Sequence, residues 1–396
     1  MKLAARMKRL GTETAFEMLA RGRALEAQGR SIIHLEIGEP DFDTPQNVKD
    51  AAVRALKDGF THYGPSVGLP QARAAVARYV SKTRGVPVDP EQVVVTPGAK
   101  PVMFFAMMAL MNEGDEALCP DPGFPIYESM IHAMGGQAVP IPLIESAGWS
   151  LDLDALARSI TPWTKLIVLN SPHNPTGGVV PVSQLAEIAR IAEKHDLLVL
   201  SDEIYSRIHY DGELAPSYYA VPGAAERTIL LDGFSKTYAM TGWRAGFGVV
   251  PKFLVPHFTR LMANSASCTA SFTQIACIEA LEGPQDSVVA MVAEFRARRD
   301  LVVNALNQMP GVSCVTPQGA FYVFPNIRGT GFKSVELQDR LLDEAGVACL
   351  AGTAFGRLGE GYLRFSYAAS RADLSQAMER VSSFLARASR PQAVPA

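Results

Sequence analysis

The chain has 396 residues, of which 48% are hydrophobic and 19% charged, the balance of a globular protein with room for a large α/β domain and a smaller one. Its formal net charge of −3 leaves no basic surplus for a phosphate backbone, which argues against nucleic acid as a partner. No apolar run is long enough to span a membrane and none follows the basic start at residues 1–8, so we expect neither a membrane span nor a signal peptide.

The first part of the chain predicts two helices. Residues 10–30 have the spacing of an amphipathic helix. Asp43, Thr44 and Pro45 then form a helix start, because a capping side chain followed by proline favours the first helical turn. Residues 48–56 continue that helix with helical spacing.

From about residue 90, short runs of β-branched residues alternate with helical stretches. The runs are apolar throughout, which is typical of strands that are buried on both faces of a parallel sheet. The pattern therefore predicts an α/β fold with a mixed, mainly parallel sheet sandwiched by helices. The predicted elements are strands 92–96, 117–119, 166–170, 197–201 and 228–231, an antiparallel strand at 244–250, and helices 101–111 and 184–194.

The last third of the chain predicts a smaller α+β domain. A long helical stretch is interrupted near Gly283 and Pro284, and short strands then alternate with helices. The elements are helices 273–308, 335–344 and 372–386 and strands 321–324, 347–350 and 362–366. We predict an N-terminal arm with part of the small domain in residues 1–45, a large domain in 46–289 and a small domain in 290–396, against which the arm packs.

Five cysteines are scattered among apolar neighbours, with no CxxC pair and no cluster with histidine. This pattern is typical of buried, reduced thiols, so we expect a cytoplasmic protein without a metal site. The cysteines are Cys119, Cys268, Cys277, Cys314 and Cys349.

Chemically useful residues follow four predicted strands. The carboxyl ends of parallel strands meet at one edge of a sheet, where open α/β folds bind ligands. The residues at these strand ends are the turn Gly98-Ala99-Lys100 at a helix start, Asn174 in an NPTG turn, Asp202 with Tyr205, and Lys236.

Each of these motifs also has a structural interpretation. Residues 96–100 form a plausible strand-to-helix turn, Asn174 belongs to a β-turn sequence, Asp202 is a suitable helix cap, and Lys236 is a suitable surface lysine. These interpretations do not explain why the motifs occur together at successive strand ends.

The functional interpretation does explain their joint occurrence. A helix start binds phosphate through its free N–H groups, and the neighbouring Ser235 and Arg244 can add donors. Desolvation lowers the pKa of a lysine such as Lys236 and frees its amine to attack a carbonyl. A buried carboxylate such as Asp202 needs a positive partner, which a pyridinium nitrogen would supply.

Five segments together resemble the class I aminotransferases. Residues 235–244 (SKTYAMTGWR) are similar to the Schiff-base signature of that family. The other matching segments, in the family's order, are 38–42 (GEPDF), 174–177 (NPTG), 201–205 (SDEIY) and 361–366 (GYLRFS). The resemblance covers residues 10–387, is closest to the bacterial aspartate aminotransferase branch (subgroup Iβ), and implies the fold of type I pyridoxal-phosphate enzymes.

The resemblance also implies the cofactor site. Lys236 would carry pyridoxal 5′-phosphate as a Schiff base and act as general base, and Asp202 would pair with the pyridine nitrogen. Tyr205 and Asn174 would hydrogen-bond the ring's O3′ oxygen. The remaining implied cofactor-binding residues are Gly98, Ala99, Lys100, Ser235 and Arg244 around the phosphate, Phe124 stacked on the ring, and Tyr63 reaching in from the other subunit of a homodimer.

For the substrates, the resemblance implies ping-pong transfer of an amino group from an L-amino acid to a 2-oxo acid. Arg364 would bind the α-carboxylate in a bidentate manner through its guanidinium, near the Gly38 amide and Asn174. Lys100 would bind the distal carboxylate of a dicarboxylate, and a hydroxyl of Thr12 or Thr14 would assist it.

The choice of amino donor stays open in the sequence. Aspartate or glutamate with 2-oxoglutarate is the preferred pair. Residues 264–267 contain no arginine, which departs from the Iα pattern, and aromatic residues near the site would also accept apolar side chains. Alanine, aromatic or other donors and a β-eliminating lyase on the same scaffold remain alternatives. The aromatic residues are Phe16, Phe42, Tyr127 and Phe355.

Overall fold

A computed structural model describes residues 3–388 of the chain. Residues 1–2 of the predicted arm and residues 389–396 of the predicted small domain lie outside this range. The α-helices within it are α1 Thr14–Glu26, α2 Gln46–Lys57, α3 Pro70–Arg84, α4 Lys100–Leu110, α5 Ile126–Ala133, α6 Leu153–Arg158, α7 Val182–Lys194, α8 Val255–Ser265, α9 Ser271–Glu282, α10 Asp286–Leu306, α11 Ser334–Arg340 and α12 Arg371–Ala388.

The strands are shorter than the helices and alternate with them through the middle of the chain. They are β1 Ile33–His34, β2 Val93–Thr96, β3 Glu116–Asp121, β4 Gln137–Ile144, β5 Ser150–Leu151, β6 Thr164–Asn170, β7 Leu198–Asp202, β8 Thr228–Gly233, β9 Gly246–Val249, β10 Tyr322–Val323, β11 Val347–Ala348, β12 Leu350–Ala351 and β13 Leu363–Ser366. Among residues 3–388, no helix combines the length and the apolar content needed to cross a membrane.

Eight strands form the central sheet, in the order β2-β9-β8-β7-β6-β3-β4-β5. Strands β8, β7, β6, β3 and β4 pair in parallel, whereas β9 is antiparallel to both β2 and β8. This confirms the predicted α/β fold with a mainly parallel sheet. It also confirms the antiparallel strand predicted at 244–250, although β9 spans only Gly246–Val249. Arg244 does not belong to it because its backbone is left-handed, with a φ of +54°.

Helices cover both faces of this sheet, so successive residues of one strand enter different cores. In β6, Leu166 and Val168 pack on the side of α4 and α8, whereas Ile167 and Leu169 pack on the side of α7. Burial on both faces explains why the strand sequences are apolar at every position.

The C-terminal part contains two small sheets. One has the order β10-β13-β12, and the other joins β1 of the N-terminal arm in parallel to β11. The Arg21 side chain on α1 also forms an ion pair with Asp339, at 2.6 Å between Nη1 and Oδ1. The arm therefore lies against the C-terminal part of the chain. The predicted domain boundary at 289/290 stays a prediction, and α10 runs across it without a break.

Candidate active site

A cavity of about 370 Å³ lies at the carboxyl ends of the central strands. Asn170 and Asp202 end the adjacent strands β6 and β7 and are register partners, and Asp202 is opposite Leu231 of β8. Lys236 follows β8 by three residues and lines the same cavity. The parallel order of these strands is what brings residues from separate parts of the chain to one edge.

Lys236 and Asp202 therefore face one cavity, and desolvation shifts their pKa values in opposite directions. It lowers the pKa of the Lys236 ammonium to about 8. It raises the pKa of the Asp202 carboxyl to about 6, although the Tyr127 hydroxyl donates a 2.6 Å hydrogen bond to Oδ2 and the Ile204 N–H a 3.2 Å bond to Oδ1. The Lys236 Nζ donates to the carbonyl oxygen of Gly38.

One end of the cavity is suited to an anion. Ala99, Lys100, Ser235 and Arg244 line it, and α4 begins at Lys100, so the free N–H groups and positive dipole end of the helix are nearby. Gly98 is not a lining residue, but a β-carbon on it would collide with the Arg244 guanidinium. Its φ of +86° also favours glycine.

Arg244 holds a backbone conformation that is costly for a side-chain-bearing residue. Its φ is +54° and its ψ is +58°, in the left-handed region. Such strain persists where the surroundings enforce it, and it concentrates at functional sites. The Arg244 Nη1 donates to the Thr241 carbonyl at 2.8 Å, which directs the guanidinium toward the glycine turn.

A second arginine serves another part of the cavity. Arg364 is 4% exposed and lies between two aromatic rings, with its Cζ 4.5 Å from the Tyr322 centroid and 4.8 Å from that of Phe355. Its Nη1 donates to Asn174 Oδ1 at 3.1 Å and its Nη2 to the Glu36 carbonyl, but its buried Nε has no partner among the described residues. A carboxylate would provide the acceptor that this donor lacks.

The structure places most of the predicted site residues together. Those that line the cavity are Gly38, Ala99, Lys100, Phe124, Asn174, Asp202, Tyr205, Ser235, Lys236, Arg244 and Arg364. Of the aromatic residues considered for the pocket, Phe16 and Tyr127 line it, whereas Phe42 and Phe355 do not. Phe355 contacts the Arg364 guanidinium, and Phe42 packs edge-on against Phe295. Tyr63 is 90% exposed and lies outside the cavity of its own chain.

Three further residues at the site were not predicted. Tyr322, on β10, forms a 2.8 Å hydrogen bond with Tyr205 between the hydroxyl oxygens. Glu13, the residue before α1, forms an ion pair with Lys100, and Glu39 accepts a hydrogen bond from Thr241. Glu13 lines the cavity, whereas the predicted hydroxyl residues on either side of it do not. Glu39 belongs to the segment 38–42 that matches the family, so the sequence could have indicated it. No local sequence pattern indicates Tyr322 or Glu13.

Residues 30–381 match the family model "Aminotransferase class I and II". The chain belongs to the class I and II aminotransferase family. It is 45% identical over 352 residues to an aspartate aminotransferase of Pyrococcus horikoshii, covering 88% of this chain and 90% of that one. It is 41% identical to aromatic-amino-acid aminotransferase 2 of Thermococcus litoralis, covering 91% and 93%.

Solved structures agree with this assignment. The aspartate aminotransferase of Rhizobium meliloti superposes with a TM-score of 0.93 at 35% identity, and the match covers 98% of this chain and 99% of that one. These matches confirm the resemblance found in the sequence, the fold type I architecture and the assignment as an aminotransferase.

Proposed function

We propose that this aminotransferase binds pyridoxal 5′-phosphate at Lys236 and transfers an amino group from an L-amino acid to a 2-oxo acid. The observation that carries the proposal is that the Lys236 amine and the Asp202 carboxylate share one cavity at the ends of neighbouring strands. The volume of about 370 Å³ suits a small cofactor and substrate. The anion-binding end and the unpartnered Arg364 Nε support a phosphate and a carboxylate as its contents.

Each cavity residue then has a role. When bound, pyridoxal phosphate supplies an electron-accepting ring that stabilises negative charge at the substrate Cα. The amides of Ala99 and Lys100, the Ser235 hydroxyl and Arg244 would hold the phosphate, and Phe124 would contact the ring face.

Two residues would handle protons. Asp202 would hold a proton on the ring nitrogen, because its desolvated carboxylate is stabilised by a positive partner. The Lys236 Nζ would take the proton from the substrate Cα and return it at C4′ of the cofactor, on the other side of the substrate nitrogen. Its pKa of about 8 suits this role, since general bases work best when their pKa is near the working pH.

The remaining cavity residues would orient the ligands. Arg364 would bind the α-carboxylate, assisted by Asn174 and the Gly38 amide. Tyr205 and Asn174 would hydrogen-bond the ring oxygen next to the reacting carbon, and the Tyr205–Tyr322 bond fixes the phenol. Both half-reactions would use this one site, which is why the two substrates would bind in turn.

We propose aspartate or glutamate as donor and 2-oxoglutarate as acceptor. The ammonium of Lys100 supports this choice, because a dicarboxylate needs a second cation besides Arg364. The P. horikoshii relative named aspartate aminotransferase also supports it. Aromatic donors are the second candidate, because Phe16, Phe124 and Tyr127 line the cavity and the T. litoralis relative is named for aromatic amino acids.

We further propose a cytoplasmic homodimer. The exposed Tyr63 ring lies outside its own cavity, which supports a role in the site of the other subunit. All five cysteines are free thiols, the usual state in the cytoplasm. Sedimentation that finds a monomer would contradict the homodimer.

The cofactor proposal is tested at Lys236. Purified protein should absorb visible light with added pyridoxal phosphate, and borohydride should fix the chromophore to the peptide that contains Lys236. Lys236→Ala should bind pyridoxal phosphate reversibly, resist fixation and lose transamination by several orders of magnitude. Lys165→Ala is the matched control, because that lysine lies on an exposed position of β6. Full turnover by Lys236→Ala would contradict the assigned role.

A further inference from the structure

An ion pair at the cavity distinguishes one of its cations from the others. Four cationic side chains line the cavity: Lys100, Lys236, Arg244 and Arg364. Within the described residues, Lys100 is the one of these four that has a carboxylate partner within 4 Å, namely Glu13. The other three donate to backbone carbonyl oxygens.

The pair lies where it can meet a substrate side chain. The side chain of Lys100 is 51% exposed and that of Glu13 20%, so Lys100 is at the mouth of the cavity and Glu13 is the more covered partner. The Lys100 Nζ is 5.5 Å from the centroid of the Phe124 ring. Phe16, in the first turn of α1, also lines the cavity. The wall is thus an ion pair flanked by aromatic rings.

We infer that Glu13 is a specificity-determining residue that occupies Lys100 as an internal substitute for the distal carboxylate of a substrate. This inference rests on the proposed function, in which Arg364 takes the α-carboxylate and Lys100 is the cation left for a second one. A dicarboxylate must displace Glu13 from Lys100. A neutral side chain leaves the pair closed and packs on the aromatic rings.

The local structure permits this exchange. Glu13 precedes the first turn of α1 and its side chain makes no capping hydrogen bond, so it is not needed to hold the helix start. Once a dicarboxylate binds Lys100, the Glu13 carboxylate is a like charge at the cavity wall, which adds repulsion to the lost ion pair. Glu13 therefore lowers the affinity for dicarboxylates and leaves that for apolar substrates nearly unchanged.

The test compares two inhibitors on the enzyme loaded with pyridoxal phosphate. Maleate represents the dicarboxylates and 3-phenylpropionate the aromatic monocarboxylates, and calorimetry gives both dissociation constants without turnover. Glu13→Gln should tighten maleate binding about fivefold, equivalent to about 1 kcal/mol, and change 3-phenylpropionate binding less than twofold. Glu17→Gln is the matched control, because it removes the same charge from an exposed position of α1.

A double-mutant cycle adds a second readout. Lys100→Gln should weaken maleate binding at least tenfold, since Glu13 then repels the ligand without compensation. The double variant Glu13→Gln/Lys100→Gln should recover part of that loss. If Glu13→Gln leaves the ratio of the two dissociation constants unchanged, the inference is overturned. A failure of the unmodified enzyme to transaminate any donor would instead overturn the proposed function, because the binding constants are measured independently.

Discussion

Replacing Arg84 tests how the fold supports the strand ends that carry the site. Arg84 ends α3, and its Nη2 lies 3.0 Å from both Glu203 Oε2 and Asp232 Oδ2. All three side chains are at most 3% exposed. Glu203 follows Asp202 directly, and Asp232 lies four residues before Lys236. The cation thus connects the carboxyl ends of β7 and β8, next to which Asp202 and Lys236 lie.

Arg84→Met should leave two buried carboxylates without their cation. Breaking a buried pair of this kind costs about 3–5 kcal/mol of unfolding free energy. The hydroxyls of Ser201 and Ser217 still donate to Glu203 at 3.0 and 2.6 Å, which favours the lower part of that range. Urea unfolding at pH 8 measures the loss. Arg78→Met, on the same helix, is the control, because its pair with Glu282 is mostly exposed and contributes at most about 1 kcal/mol.

The destabilisation should depend on pH in a defined direction. Desolvation raises the pKa of Asp232 to about 7, although Arg84 opposes the shift, so in Arg84→Met it rises further. A carboxyl whose folded pKa exceeds its unfolded pKa loses its stabilising contribution as pH rises through the folded value. The loss caused by Arg84→Met should therefore shrink by about 1–2 kcal/mol between pH 8 and pH 6. A loss no larger than that of Arg78→Met, or one that is equal at both pH values, would refute the reasoning.

Two further predictions concern the cavity. Tyr127→Phe removes a hydrogen-bond donor from Asp202 and should raise the pKa of that carboxyl by about one to two. The pH dependence of pyridoxal-phosphate binding should then shift upward. An unchanged pH profile would count against the assigned hydrogen bond. Arg364→Lys keeps the charge but loses the two-pronged geometry, so kcat/KM for the amino donor should fall about 10- to 100-fold while cofactor affinity is retained. Equal kcat/KM values would remove Arg364 from substrate binding.

The fold was predictable where the sequence pattern reflects burial. Strands β6, β7 and β8 are apolar at consecutive positions because helices cover both faces, and this pattern is visible without coordinates. Strand β4 was not predicted, because Pro140 and Pro142 argue against a strand. They are tolerated because β4 pairs with β5 only at Leu143 and Ile144, so neither proline has to donate a backbone hydrogen bond to β5. The Pro142 carbonyl still accepts a bond from the Asp152 N–H.

The site was predictable where one motif carries several groups. Lys236 and Arg244 belong to one continuous signature, and Asp202 with Tyr205 to another. Tyr322 was not predictable in this way, because its contact with Tyr205 joins positions 117 residues apart and depends on how the C-terminal sheet packs against the cavity. Glu13 was not predictable for the same reason, because its ion pair with Lys100 joins the N-terminal arm to a distant part of the chain.

One physical property of the cavity acts on both groups that are proposed to handle protons. Desolvation disfavours charge of either sign, so it lowers the pKa of Lys236 to about 8 and raises that of Asp202 to about 6. The two pKa values thereby approach neutral pH from opposite sides. A cationic ring nitrogen beside Asp202 would favour its carboxylate again, whereas Lys236, with backbone oxygen as its neighbour, stays able to gain and lose a proton. In the proposed mechanism, the difference between the Asp202 carboxylate as a fixed anion and the Lys236 amine as a base thus depends on what each group faces within one cavity.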